Sequence, residues 1–279
     1  MNTNGNFYTI IYSTIIVVLV AAILAYASLA LKPKQDANVK AETISQMLTA
    51  AKYFDKATLE AMGNDKILEE YVKDINKALI INAEGEVIDS LDKAKSEIYT
   101  ESKLKAQNNL MKSGKKEDLR LPVFIFGKGG KQVIVIPCYG TGLWGPVWGY
   151  LAFADDMKTF VGAYFDHESE TPGLGAKIKD DPSFRAEFEG KTADFSSSRI
   201  FSIVKGGAPA GQANAIDAIT GATMTSRGLN AAIEQWLEFY KPYFTAAKPA
   251  EKAAADSCAK AATDSLAKAA IDSTAVITE

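Results

Sequence analysis

A cluster of hydroxyl side chains just before an amphipathic pattern is the part of this sequence best suited to chemistry. Segment 217–226 reads DAITGATMTS, and four of its residues carry a hydroxyl: Thr220, Thr223, Thr225 and Ser226. Gly221 and Ala222 have little side chain, so a bulky group can approach the backbone closely. A phosphate would be favoured there, since the N-terminus of a helix offers free N–H groups and a positive dipole end. The same residue types are also the usual helix N-caps, and local chemistry alone favours capping.

The helix itself is predicted from the apolar residues that follow the cluster. They have the i, i+4, i+7, i+8, i+11 spacing of one helix face: Leu229, Ile233, Trp236, Leu237 and Tyr240. The hydroxyl cluster is therefore predicted to lie at the N-terminus of an amphipathic helix. Glycine-rich loop 206–211 leads toward it.

Segment 217–226 resembles the flavinylation motif D-x-x-[ST]-G-A-T of a family of membrane redox proteins. These are the C subunits of sodium-translocating NADH:quinone oxidoreductases, and the G subunits of the related Rnf complexes share the motif. Segments 139–144 (YGTGLW) and 170–175 (ETPGLG) also resemble the family. Segment 31–35 (LKPKQ) is more similar to the sodium-pump subunit than to the Rnf subunit. The resemblance covers roughly residues 7 to 244.

The resemblance implies that FMN is bound covalently, by a phosphoester bond to the last threonine of the motif, Thr223. It implies that a separate FMN transferase attaches the cofactor, and no catalytic residue or metal ligand is predicted in this chain. The other implied FMN contacts fall into three groups: Thr220, Gly221, Ala222 and Thr225 beside the acceptor; Tyr139, Leu143 and Trp144 at the ring, with Trp148 as a further aromatic candidate; and Glu170, Thr171, Gly173 and Leu174 in a loop over the cofactor. Core aromatics and an ordinary structured loop are the alternatives for the last two groups.

The function that the resemblance implies is an electron relay in a sodium-pumping NADH:quinone oxidoreductase. NADH, quinone and sodium would be bound by other membrane subunits, because the chain has no dinucleotide-binding fingerprint and one uncharged span cannot form an ion path. Three alternatives stay open: an Rnf G subunit, a stand-alone membrane-anchored FMN electron-transfer protein, and a flavin-free assembly subunit whose threonines are only caps.

An N-terminal membrane anchor is predicted over residues 1–35. Residues 7–31 carry no charge, and this run exceeds the ~20 residues that cross a bilayer. A cleaved signal peptide is the alternative, although its apolar region would be shorter and would follow positive charge. Lys32, Lys34 and Lys40 favour a cytoplasmic domain by the positive-inside rule. The resemblance implies the opposite side, the periplasmic face of a bacterial inner membrane, and we adopt that orientation.

The domain 36–244 is predicted to be α+β, an antiparallel sheet with helices on one side. A helix is predicted over 41–53 and a solvated helix and loop over 92–118. The predicted strands are a hairpin in 78–89 that turns at Glu84 and Gly85, then 121–126, 133–136, 147–153, 159–165 and 199–204.

Composition excludes several other classes of function. The net charge of −3 comes from interspersed acidic and basic residues, so no nucleic-acid-binding face is expected. Cys138, Cys258 and the single histidine, His167, are too few for a zinc or iron–sulfur site, and no disulfide is predicted. We assign His167 no role. The alanine-rich tail 245–279 is predicted to be disordered or marginally helical and dispensable for redox chemistry.

Overall fold

The computed structural model describes residues 5–128 and 130–246. The tail from residue 247 onward, including Cys258, lies outside the described residues. The helices are α1 Asn6–Ala50, α2 Lys56–Ala61, α3 Asn64–Asp74, α4 Glu101–Ser113, α5 Lys177–Asp180, α6 Pro182–Ala186 and α7 Thr223–Thr245. The strands are β1 Ile75–Ile81, β2 Val87–Ser90, β3 Leu121–Lys128, β4 Lys131–Thr141, β5 Pro146–Ala154, β6 Phe160–His167, β7 Ser202–Val204 and β8 Ala215–Asp217.

The predicted antiparallel sheet is confirmed. Six strands lie in the order β2-β1-β3-β4-β5-β6, and every neighbouring pair is antiparallel. The strands of this sheet are longer than predicted, and β4 extends to Thr141, where the candidate site begins, whereas the strand predicted over 199–204 covers only 202–204. A second, two-stranded sheet of β7 and β8 is parallel and was not predicted. Strand β8 is three residues long, too short for a period-2 pattern to be recognised, and it leads directly into the hydroxyl cluster.

Helices cover both faces of the sheet, so the prediction of helices on one side is wrong. Alternate residues of β3 enter different hydrophobic clusters: Val123 and Ile125 pack in the cluster that includes α7, whereas Phe124 and Phe126 pack in the cluster that includes α1 and α3. Because successive side chains of a strand point to opposite faces, a continuous apolar run such as 121–126 requires burial on both.

Helix α1 is continuous over 45 residues and passes through Pro33. It is the one described helix that is long and apolar enough to cross a membrane. The helix predicted over 41–53 is its C-terminal end, where Ile44, Met47 and Leu48 are fully buried against the sheet. The candidate anchor and the folded domain therefore share one helix.

Helix α4 is only partly solvated. Its outward residues are exposed as predicted, but Leu104, Asn108 and Met111 are buried. The polar run 92–118 thus contains an amphipathic helix that packs on the same side of the sheet as α7.

Helix α7 lies unusually close to β4. The predicted apolar face is confirmed, since Leu229, Ile233, Trp236, Leu237 and Tyr240 are all buried. A Cβ atom added to Gly140 would lie 2.6 Å from the Cβ of Ala232, and one added to Gly228 would overlap the carbonyl oxygen of Thr141. The indole N–H of Trp236 donates to the Tyr139 carbonyl at 2.9 Å. Small residues on both elements thus allow a contact that fixes the start of α7 over the end of β4.

This contact leads to a stability prediction with a matched control. Ala232→Val should lower the free energy of unfolding by about 1–3 kcal/mol, because the added methyl groups overlap the backbone at Gly140. Ala231→Val is the control. Ala231 is exposed, and the same substitution there has the same cost in helix propensity without the contact to β4. Chemical denaturation of both variants gives the comparison. Equal destabilisation would show that the contact is not tight.

Candidate functional site

The hydroxyl cluster lies at the start of α7, as predicted, but its threonines do not cap the helix. The N-cap residue is Ala222, and no side chain makes a capping hydrogen bond there. Ser226 instead accepts a hydrogen bond from the backbone N–H of Ile219 at 3.1 Å, which closes the turn before the helix. The N–H of Ser226 makes the first intrahelical bond, to Ala222, so the preceding N–H groups of the first turn have no partner within the helix, as at any helix start.

Gly221 makes the turn into the helix possible. Its φ of +82° lies in the left-handed region, and an added Cβ would lie 3.0 Å from Leu174. Two constraints, conformation and close approach, therefore act at the glycine of the motif.

Asp217, the first residue of the motif, has a structural role that sequence reasoning missed. Its carboxylate accepts the backbone N–H of Ala208 at 2.7 Å, and its own N–H donates to Glu187 at 2.8 Å. It thereby ties loop 206–211 to the motif. The only sequence signal for this role was the fixed position of Asp217 in the motif.

Glu170 joins three segments of the chain at the site. One carboxylate oxygen accepts the N–H groups of Leu143 (2.7 Å) and Trp144 (3.0 Å). The other accepts the hydroxyl of Thr225 at 2.6 Å. Glu170 is only 4% exposed. We call these three bonds the Glu170 network; it holds turn 142–145, loop 170–175 and the start of α7 together.

Two glycines make room for the Glu170 network. A Cβ on Gly142 or Gly175 would overlap a carboxylate oxygen of Glu170. Both glycines lie in the segments that resemble the family motifs. Their small size is therefore explained by the buried carboxylate rather than by turn conformation.

The backbone of Glu170 is tied to the sheet through the end of β6. Its N–H donates to Nδ1 of His167 at 3.2 Å, so His167 has a structural contact that the sequence did not indicate. The preceding residue, buried Asp166, pairs with Lys179 at 2.8 Å and accepts the side-chain amide of Gln46 at 2.9 Å. These contacts connect α1, β6 and α5 directly behind the site loop.

A shallow cavity of about 160 Å³ lies between these segments. It brings together eight of the twelve predicted site residues: Leu143, Glu170, Thr171, Leu174, Gly221, Ala222, Thr223 and Thr225. Gly175 and Met224 also line it and were not predicted, although both lie inside the motif segments. The cavity is smaller than the ~300 Å³ at the lower end of ligand pockets, so it fits only part of a cofactor-sized molecule.

The other four predicted residues do not line the cavity. Thr220 and Gly173 are exposed beside it. Trp144 is exposed on the turn next to Leu143. Tyr139 is buried under α7, and burial together with the nearby Glu101 raises the pKa of its phenol. Trp148, the further aromatic candidate, is half-buried at a separate cavity between α1 and α4.

Exposed apolar side chains surround the cavity. Leu143, Trp144, Leu174 and Met224 are between 44% and 65% exposed. Outside α1, the other large hydrophobic residues found exposed in the described chain are Val87 and Ile88 of β2. The apolar surface of the domain is therefore concentrated around the start of α7, as expected at a binding site.

Comparison with known proteins agrees with this location. The model of the FMN-binding domain family matches residues 142–238, which span the whole cavity. The C subunit of the Na(+)-translocating NADH-quinone reductase of Vibrio parahaemolyticus is 30% identical over 227 residues, covering 77% of this chain and 84% of the relative. This chain belongs to the family of these C subunits. The C subunit of the Neisseria meningitidis reductase is 28% identical over 254 residues, covering 85% of this chain and 94% of the relative.

Solved structures of the family share the fold. The C subunit of the Parabacteroides distasonis reductase superposes with a TM-score of 0.63 at 29% identity, covering 78% of this chain and 98% of that structure. NqrC of Shewanella oneidensis gives a TM-score of 0.57 at 28% identity, covering 75% and 97%.

The Glu170 network leads to a second stability prediction. Thr225→Val keeps the shape of the side chain but removes the hydroxyl that donates to a buried charge. We expect a loss of about 1.5–3 kcal/mol in the free energy of unfolding. Thr220→Val, at an exposed threonine five residues earlier, should change it by less than ~0.5 kcal/mol. Similar values for the two variants in denaturant titrations would contradict the assigned role of Thr225.

Proposed function

We propose that this chain is the electron-relay subunit of a sodium-translocating NADH:quinone oxidoreductase and that it carries FMN on Thr223 through a phosphoester bond. The proposal depends most on one observation: Thr223 is the threonine of the motif that both lines the cavity and is partly accessible. Thr225 is 1% exposed and its hydroxyl is bound to Glu170, while Thr220 lies outside the cavity.

The surroundings of Thr223 suit a phosphate. It is the first residue of a 23-residue helix whose first-turn N–H groups have no side-chain cap. A helix start of this kind favours an anion through its free donors and its dipole. The threonines leave these N–H groups unoccupied because they make no capping bond. This feature favours a cofactor site over the flavin-free assembly subunit.

The apolar rim suits part of a flavin ring. Leu143 and Leu174 face the cavity from opposite segments, and Trp144 lies beside Leu143. Bound FMN would supply chemistry in which one or two electrons are exchanged, and the protein would set its position and electrostatics. A cavity this small leaves much of the ring outside, where a redox partner can approach.

The proposal requires partners that this chain does not contain. An FMN transferase would form the bond to Thr223, and other membrane subunits would bind NADH, quinone and sodium. Within the described residues there is no cluster of three metal-ligating side chains. The family relationship favours the sodium-pump C subunit over the Rnf G subunit and over a stand-alone flavoprotein.

The proposed location is the inner membrane of a bacterium, with α1 as a single retained span and domain 36–244 on the periplasmic side. Because residues 41–50 of α1 are part of the core, the helix would place the site at a fixed height above the membrane. The Asp166–Lys179 pair and Gln46 then connect that helix to the site loop.

Substitution of Thr223 tests the attachment site. Thr223→Ala, expressed with the transferase, should lose all flavin fluorescence in a denaturing gel, because no accessible hydroxyl of the motif is left in the cavity. Thr223→Ser, which keeps a hydroxyl, should retain fluorescence. The fold should be unchanged in both, since the Thr223 side chain makes no capping bond. A fluorescent band from the alanine variant would overturn the assignment to Thr223.

Cysteine labelling tests the orientation. Burial raises the pKa of the Cys138 thiol to about 12, so it stays protonated and unreactive at neutral pH. In a Cys258→Ser background, Lys115→Cys should react in intact spheroplasts with a maleimide that cannot cross membranes. Asn6→Cys, at the N-terminal end of α1 and thus on the opposite side of the membrane from the domain, should react only after lysis. The reverse pattern would favour the orientation that Lys32, Lys34 and Lys40 indicate.

A further inference from the structure

The negative charge of Glu170 is held by neutral donors alone. Its carboxylate oxygens accept two backbone N–H groups and one hydroxyl, and among the described residues no lysine, arginine or histidine forms a salt bridge with it. Asp166, the other buried carboxylate nearby, differs because Lys179 neutralises it at 2.8 Å. Hydrogen bonds from neutral donors stabilise a charge without cancelling it.

The position of this charge gives it an effect on the cavity. Glu170 lines the cavity and is only 4% exposed, so protein rather than water surrounds most of its carboxylate. Charges interact several times more strongly in such surroundings than in bulk water. Any group that occupies the cavity and changes its charge will therefore be affected by Glu170.

We propose that the buried charge of Glu170 lowers the midpoint potential of the FMN, an inference that rests on the function proposed above. In a titration with dithionite at mildly alkaline pH, two electrons and one proton enter the oxidised ring, which then carries one more negative charge. Repulsion from Glu170 opposes that gain of charge. The residue thus has two roles: it positions the three segments of the site and sets how strongly the site holds electrons.

Redox titration of charge variants tests the proposal. Glu170→Gln keeps the size of the side chain and a carbonyl oxygen to accept the N–H groups of Leu143 and Trp144. Its midpoint potential should be more positive than that of wild type. Glu168→Gln is the matched control, because it removes the same charge from an exposed side chain two residues earlier. Its potential should stay at the wild-type value, because water and salt screen that position.

A second variant separates charge from structural change. Met224 lines the same cavity, is 51% exposed and lies in the first turn of α7, where an acidic residue is tolerated. Met224→Glu should make the potential more negative, with Met224→Gln as its neutral control. Shifts of the midpoint potential in opposite directions in Glu170→Gln and Met224→Glu would support an electrostatic cause. A general loosening of the site would not shift the potential in opposite directions in the two variants.

Three outcomes would overturn the inference. They are an unchanged or lower potential in Glu170→Gln, an equal shift in Glu168→Gln, and no difference between Met224→Glu and Met224→Gln. If Glu170→Gln does not fold, judged by thermal unfolding and near-UV circular dichroism, the Met224 pair decides. Covalent FMN is measured separately in every variant. Wild-type protein without FMN would contradict the proposed function, whereas FMN with an unchanged potential would contradict only the role of Glu170.

Discussion

The candidate site is organised around one costly group, the buried carboxylate of Glu170. A carboxylate removed from water destabilises the fold by several kcal/mol unless donors replace its hydration. Its donors come from turn 142–145 and from Thr225 on α7, so neither segment can move without exposing an unsatisfied charge. Gly142 and Gly175 are small because the carboxylate occupies the space that their side chains would need. The Glu170 network therefore determines both the position of the start of α7 and the shape of the cavity.

Strands β4 and β6 of the large sheet hold the Glu170 network in place. Close packing of α7 on β4, allowed by Gly140 and Gly228, brings the helix start next to the turn that follows β4. Strand β6 ends at His167, which holds the backbone of Glu170, and Asp166 connects the same strand end to α1. A few polar contacts thus connect the candidate membrane helix to the site. This arrangement suits a relay that must present its cofactor to partners at a constant position.

Elements with a clear period could be predicted from the sequence. The apolar face of α7 and the hairpins of the large sheet were recognised because their residues repeat at helix or strand spacing over many positions. Strand β8 and helices α5 and α6 are too short to show such a period. The continuity of α1 was missed because its two parts show different patterns, an uncharged apolar run over 7–31 and an amphipathic face over 41–53, and they were predicted as separate elements. The two-sided burial of the sheet was indicated by the continuous apolar run of β3, a signal that the prediction of one-sided helices overlooked.

Most of the site was located through motifs, but its internal contacts could not be derived from them. Glu170 was predicted to face the cofactor, and it does line the cavity. Its bonds to Leu143 and Thr225, however, span 27 and 55 positions in the chain, and no local pattern specifies which residues pair over such separations. The distinction between Thr223 and Thr225 also depends on these contacts. The hydroxyl of Thr225 is buried against Glu170, which leaves the hydroxyl of Thr223 as the candidate acceptor.

Peptide mass spectrometry tests this distinction most directly. Protein purified from cells that contain the FMN transferase would be digested with trypsin, and the fragment from Gly206 to Arg227 holds all three threonines of the motif. Fragmentation of that peptide should place the mass of one FMN phosphoester on Thr223, with Thr220 and Thr225 unmodified. FMN on Thr225 or Thr220, or an unmodified peptide from protein made with an active transferase, would contradict the account.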